Sequence, residues 1–149
     1  MYLDKNEEVV KGVEYEDLVA KDILLPMFRN KFGERVTIYK GGEFDNFDRQ
    51  VLLNNSLLGN IEIKRRYFNK DEYETIIIPY RKYKEYLEND TMDYWLVIGW
   101  NDVIGMIKMN STKPVGIYNL ERGDRNDGVK PHVEYRVSDF TIIKKFYNK

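Results

Sequence analysis

The sequence has no cysteine. That excludes a disulfide framework, a thiolate nucleophile and any cysteine-based zinc site. It has a single histidine, His132, so a histidine-clustered zinc site or a Ser-His triad would lack the partners it needs. No apolar run approaches the roughly 20 residues that cross a bilayer. The segment Met1 to Lys11 is polar and acidic and lacks the apolar core of a signal peptide. Charge of one sign is also missing: 24 Lys and Arg against 25 Asp and Glu leave a net charge of −1. Binding to nucleic acid would therefore have to come from a local basic patch rather than from the field of the whole chain. Gly41-Gly42 and Gly123 are not followed by Gly-Lys-Ser or Gly-Lys-Thr, so there is no phosphate-binding loop of that kind. No repeat, low-complexity tract or Pro/Gly/Ser linker is visible. These absences leave a cytoplasmic protein with no membrane segment, in the host cytoplasm if the source is viral.

What is present is a chain of 149 residues, 42% hydrophobic, enough to bury a core without staples. We read one domain over 1–149, with residues 1–12 flexible. Tyr15, Val19, Ile23 and Met27 recur at helical spacing with Leu18 and Leu25 beside them, which predicts an amphipathic helix from Glu14 to Lys31, kinked or divided at Pro26. Val36 to Lys40 reads as a strand and Gly41-Gly42 as a turn. Phe47 to Leu53 and Leu58 to Arg65 read as two further strands joined by Asn54-Asn55-Ser56, an antiparallel hairpin. Tyr73 to Ile78 is β-rich. Pro79 suits the first turn of a helix reaching Glu88, with Tyr83 and Leu87 on its packed side and Arg81, Lys82 and Lys84 largely away from it. Tyr94 to Trp100 is almost wholly apolar and predicts a buried central strand. Val103 to Met109, Val115 to Leu120 and Val133 to Val137 supply additional C-terminal strands. Glu121 to Gly128 reads as a charged loop, and Ser138 as the cap of a short terminal helical turn. The order of elements predicts an α/β fold, a mixed β-sheet flanked by helices.

Chemistry concentrates on Asn60-Ile61-Glu62-Ile63-Lys64. Side chains alternate along a strand, so Ile61 and Ile63 share one face while Glu62 and Lys64 share the other. If the hairpin forms, Asp48 on the neighbouring strand approaches Glu62. Two close carboxylates repel, and a hard divalent ion such as Mg²⁺ relieves that repulsion with oxygen ligands. Such an ion lowers the pKa of a bound water and stabilises charge on a phosphate, while a lysine beside it orients water or neutralises developing charge. An acidic residue, any residue, then lysine should occur about two or three times by chance in so charged a chain. It occurs once, inside an apolar β run. A charged pair on a solvated strand face is the ordinary alternative.

The order of Glu16 in the first helix, Asp48 at a strand start and Glu62-Ile63-Lys64 in the next strand resembles the PD-(D/E)xK nuclease superfamily. That superfamily includes restriction endonucleases, Holliday-junction resolvases and phage exonucleases. The resemblance spans about Tyr15 to Trp100. The residue before Asp48 is Phe47 where the family pattern has proline. The resemblance implies a restriction-endonuclease-like core and a Mg²⁺- or Mn²⁺-dependent deoxyribonuclease. Asp48 and Glu62 would bind the metal, with Asp45 as the alternative to Asp48. Lys64 would position the water and Glu16 would assist. It also implies DNA as partner and makes a homodimer plausible, since many members act on two strands. Arg65, Arg66 and Lys70 follow the motif directly and, with Arg81 and Lys84, are candidates for contacting nucleic acid. The alternative is a nuclease-fold module that binds nucleic acid or protein without cleaving.

Overall fold

The computed structural model describes residues 14–41, 47–89, 91–121 and 129–146. Residues 1–12, Gly42, Asp45 and Gly123 lie outside them, as does most of the stretch read as the Glu121–Gly128 loop.

The first helical run, α1, spans residues 14–32 and changes register midway. Val19–Leu24 is a π turn and Leu25–Phe32 is α-helical. The Leu25 N–H donates to the Ala20 carbonyl, five residues back. Pro26 stands one residue beyond; it has no N–H to give, and its ring crowds the carbonyl four residues earlier. A widened turn just before it absorbs that conflict. The extra residue shifts the buried stripe. Val19, Ala20, Leu24 and Phe28 are buried, whereas Ile23 and Met27 are only half-buried and Leu18 is 56% exposed. The expected stripe of 15, 19, 23 and 27 is thus correct at its start and displaced by one residue after the π turn.

Among the described residues nine strands follow: β1 Val36–Lys40, β2 Arg49–Leu53, β3 Ser56–Arg65, β4 Thr75–Pro79, β5 Asp93–Gly99, β6 Val103–Lys108, β7 Gly116–Glu121, β8 Val129–Arg136 and β9 Thr141–Lys145. The second helix, α2, is Tyr80–Glu88. Six strands form a mixed sheet in the order β1-β2-β3-β5-β6-β9, in which β3 and β5 run parallel and the other pairs antiparallel. The hairpin between β2 and β3 turns on two residues, Asn54 (φ 52°) and Asn55 (φ 65°). Asparagine tolerates that left-handed conformation better than most residues, and a two-residue turn of this hand matches the twist of the strands. Ser56, expected in the turn, already belongs to β3.

Both faces of the large sheet are covered. On one, α1 packs Val19, Leu24 and Phe28 against Ile61, Ile63, Trp95 and Val97. On the other, Tyr94, Leu96 and Ile98 pack against a second sheet, β4-β8-β7, and against the tyrosines of α2. The alternation of β5 between two cores is why its sequence is apolar throughout. The fold is the expected mixed sheet with flanking helices and added C-terminal strands. Three details differ. Of the added strands, β6 extends the large sheet, while β7 and β8 join β4 in a separate layer. The short helical turn expected at Ser138 is present as a 3₁₀ turn, Val137–Asp139, but its N-cap is Arg136 and Ser138 lies inside it; β9 follows. Leu87, read as packed, is 49% exposed, while Lys82 is 4% exposed. Among the described residues no helix is long and apolar enough to cross a membrane.

Candidate active site

The β2–β3 ladder begins at Arg49↔Ile61. From Glu62 to Arg65, β3 keeps β5 on one side, but that β2 ladder no longer reaches it on the other. There the Ile63 N–H is taken by a side chain instead of a strand: it donates to Asp48 Oδ2 at 3.0 Å. A pocket of about 190 Å³ opens at this point, lined by Tyr15, Glu16, Asp48, Glu62, Ile63, Lys64, Arg65 and Arg66. Glu16, Asp48, Glu62 and Lys64, the four residues singled out from the sequence, therefore border one cavity.

Each is held by its own element. Glu62 is 2% exposed, buried on the α2 side of the sheet. Its Oε1 lies 3.3 Å from Lys64 Nζ and its Oε2 lies 2.9 Å from Lys82 Nζ. The second is a close ion pair between two buried side chains. Burial, followed by the Asp48 charge, pushes the Glu62 carboxyl above the usual carboxylate range, while Lys64 and Lys82 pull it back. Glu16 enters from α1. It is raised to about 7, first by burial and then by the Asp48 charge, against the opposing pull of Arg49. Arg49 is 3% exposed, 3.6 Å from Glu16, paired with Asp17, and donates to the Asp48 carbonyl at 2.8 Å. Tyr15 seats this end of α1 against β5. A Cβ at Gly99 would fall 1.6 Å from the Tyr15 hydroxyl, so the close approach that brings Glu16 to the pocket requires glycine there.

The basic stretch after the motif is anchored rather than loose. Arg65 donates to the Gly99 carbonyl at 2.8 Å and to Asn101 Oδ1 at 2.7 Å, with the Tyr15 and Tyr67 rings 5.5 and 4.6 Å from its guanidinium carbon. Arg66 donates to the carbonyls of Arg65 and Ile77. Lys70 lies away from this pocket, 3.4 Å from Asp71, and borders a larger cavity of about 570 Å³ beside β4 and β8. Arg81 and Lys84 are exposed on α2, Lys84 3.8 Å from Glu88. His132 is buried in β8 with Nδ1 3.0 Å from the Lys130 carbonyl, far in kind from a catalytic arrangement.

Sequence reasoning missed Lys82 and Arg49. Each carried a signal. Lys82 precedes Tyr83 and stands four residues before Tyr86, on the packed face of α2. Arg49 shares the β2 face with buried Val51, where alternation calls for an apolar residue.

The donors around the pocket are carboxylate oxygens, which suit a hard divalent cation. Among the described residues no group of three or more His, Asp or Glu side chains is arranged to hold a metal. The arrangement therefore fits an ion held by one or two carboxylates that completes its shell with water and phosphate oxygens, as Mg²⁺ does. Burial first, and then the Asp48 charge, raise Glu16 and Glu62; a cation beside these carboxylates would favour their charged forms.

No curated protein matches the chain. Among solved structures, that of Archaeoglobus fulgidus Hjc, a Holliday junction resolvase from an archaeal hyperthermophile, is similar at 9% identity and a TM-score of 0.48, covering 93% of this chain and 98% of that one. The family described as "Phage putative PDDEXK endonuclease" matches residues 25–143, a span that includes Asp48, Glu62, Lys64 and Lys82 and begins after Glu16. With that match over most of its length, the chain belongs to the phage PDDEXK endonuclease family.

Proposed function

We propose that this nuclease-family chain hydrolyses DNA phosphodiester bonds with a divalent cation, Mg²⁺ or Mn²⁺, held by Asp48 and Glu62. The observation that carries the reading is the convergence of Glu16, Asp48, Glu62 and Lys64 on one pocket, with two acids raised by burial and by a neighbouring charge. When bound, the cation would supply Lewis-acid stabilisation of a phosphate and a more acidic water. The chain's own groups do the rest. Lys64, 27% exposed at its side chain, faces the pocket and orients the attacking water while offsetting charge that develops on the phosphate. Glu16, with a pKa of about 7, accepts or returns a proton near neutral pH. Arg65 and Arg66 border the same pocket and bind the flanking phosphate, a backbone contact that positions without reading sequence. Lys70, Arg81 and Lys84 would extend that contact along the strand, and a homodimer would present two such pockets to a duplex.

One observation favours the second reading, an inactive nucleic-acid-binding module: both Glu62 oxygens already face ammonium groups. Incubation with duplex, single-stranded and branched DNA, and with RNA, separates the two. Cleavage that needs Mg²⁺ or Mn²⁺, stops with chelator and is lost in Glu62→Gln and Lys64→Ala supports the nuclease. Binding without cleavage in every metal supports the module. Cleavage of RNA alone would move the substrate, and retention of activity in both variants would remove the site.

A further inference from the structure

Lys82 is the most deeply buried ammonium in the described chain with a carboxylate at hand: its side chain is 5% exposed, and so is out of reach of a bound phosphate. Burying a Lys–Glu pair costs several kcal/mol in lost hydration, and well-packed apolar residues at the same positions usually match it in stability. Stability alone therefore gives little reason for a lysine here. The surroundings give another. The Lys82 ammonium lies 2.9 Å from Glu62 Oε2 on one side and 5.3 Å from the centre of the Phe47 ring on the other, within the range of a cation–π contact. Phe47 is itself 3% exposed and packs on Tyr94 with ring centres 5.0 Å apart. It immediately precedes Asp48. One ammonium thus touches the residue before one carboxylate and the other carboxylate directly. Lys64 and Lys82 both pair with Glu62, while Arg49 pairs with Glu16 and Asp17.

We infer that Lys82 is a positioning residue of the proposed site, an ammonium clamped between Glu62 and the Phe47 ring that fixes the Glu62 carboxylate toward Lys64 and locks α2 to the segment carrying Asp48. The role assigned to Glu62 rests on the nuclease reading; the clamp itself does not. The two lysines divide the work. Lys64 opens on the pocket and acts at the substrate, whereas Lys82 sits behind Glu62 and acts only through it. Phe47, standing where the family pattern has proline, supplies the ring that covers the buried ammonium.

The test combines steady-state kinetics with thermal unfolding on the full chain. Lys82→Met lowers kcat at least tenfold at saturating DNA and Mg²⁺ and leaves KM for DNA within twofold, because Lys82 meets no substrate. Phe47→Leu, which keeps apolar volume but removes the ring, lowers kcat in the same direction by less. In melting, Lys82→Met destabilises by leaving Glu62 with one partner fewer, and the Lys82→Met/Glu62→Gln pair recovers part of that loss, a coupling that independent sites do not show. If Lys82→Met does not fold, Lys82→Gln carries the same measurements. A kcat equal to wild type overturns the positioning role whatever the melting curves show, and a raised KM with intact kcat overturns it in favour of DNA contact. Should the wild type cleave nothing, the nuclease reading fails and the melting cycle decides the clamp alone: coupled effects support it and additive effects overturn it.

Discussion

The two faces of β3 follow one alternation and reach opposite ends. Ile61 and Ile63 lie under α1, 0% and 2% exposed, in an apolar core. Glu62, between them, is also 2% exposed, but under α2 and beside three other charged groups. Burial is equal and chemistry is not. A solvated strand face would have explained Glu62 and Lys64 at no cost; a buried carboxylate with two lysines and a neighbouring aspartate cannot be dismissed as solubility. Polarity retained under a helix, where aliphatic residues would pack more cheaply, is what the proposed site accounts for.

That contrast breaks or sharpens under substitution. The largest effect belongs to the polar face: Asp48→Asn and Glu62→Gln lower the cleavage rate by about 10²–10³-fold, read by gel assay; in calorimetry Asp48→Asn melts close to wild type, whereas Glu62→Gln melts lower because it leaves the buried Lys82 ammonium without its carboxylate. A large melting loss with kcat preserved would make the polar face merely structural. The apolar face answers oppositely. Ile61→Val deletes one buried methyl and costs about 0.5–1.5 kcal/mol of stability, seen in urea unfolding, while kcat below the transition holds. Smaller still, Arg66→Gln weakens binding across all sequences and lowers the salt slope of DNA affinity by about one; an unchanged slope would move the phosphate contact elsewhere.

Much of this was legible in the sequence because it rests on short-range pattern. Alternation in Asn60 to Lys64 and the Asn54-Asn55 turn fix which residues share a face and how Asp48 nears Glu62. The π turn before Pro26 was not legible, since one inserted residue moves the buried stripe from Ile23 and Met27 to Leu24 and Phe28 without changing composition. Nor was the layer β4-β8-β7, since the pairing of β4 with β8 joins segments far apart in the chain. Lys82 was hidden for a similar reason: a lysine on a helix reads as solvated until a distant strand supplies its carboxylate. Asp45 lies outside the described residues, so the alternative ligand to Asp48 is decided by its own variant, with Asp45→Asn expected to keep cleavage that Asp48→Asn loses.

The smallest effect is a pH dependence. The Glu16 carboxyl is raised from its ordinary value of 4.5 to about 7. An acid raised on folding favours the native state while protonated in it, and that stability is lost as pH rises from about 4.5 through about 7. Glu16→Gln cannot ionise, so its melting temperature relative to wild type rises between pH 5 and pH 8. A difference that stays level, or falls, across that window would mean Glu16 is not held in the buried, negatively charged setting described. Divalent cation added at pH 8 should stabilise the wild type more than Asp48→Asn, because an ion bound only by the native state adds its binding energy to folding.

The central claim is that Asp48 and Glu62 hold a divalent cation between β2 and β3. The most direct test is anomalous diffraction from crystals of the protein soaked in Mn²⁺. The account predicts one strong anomalous peak contacting the carboxylates of both Asp48 and Glu62, and none in crystals of Glu62→Gln. A peak elsewhere, or no peak with Glu62 still closed between Lys64 and Lys82, would contradict it.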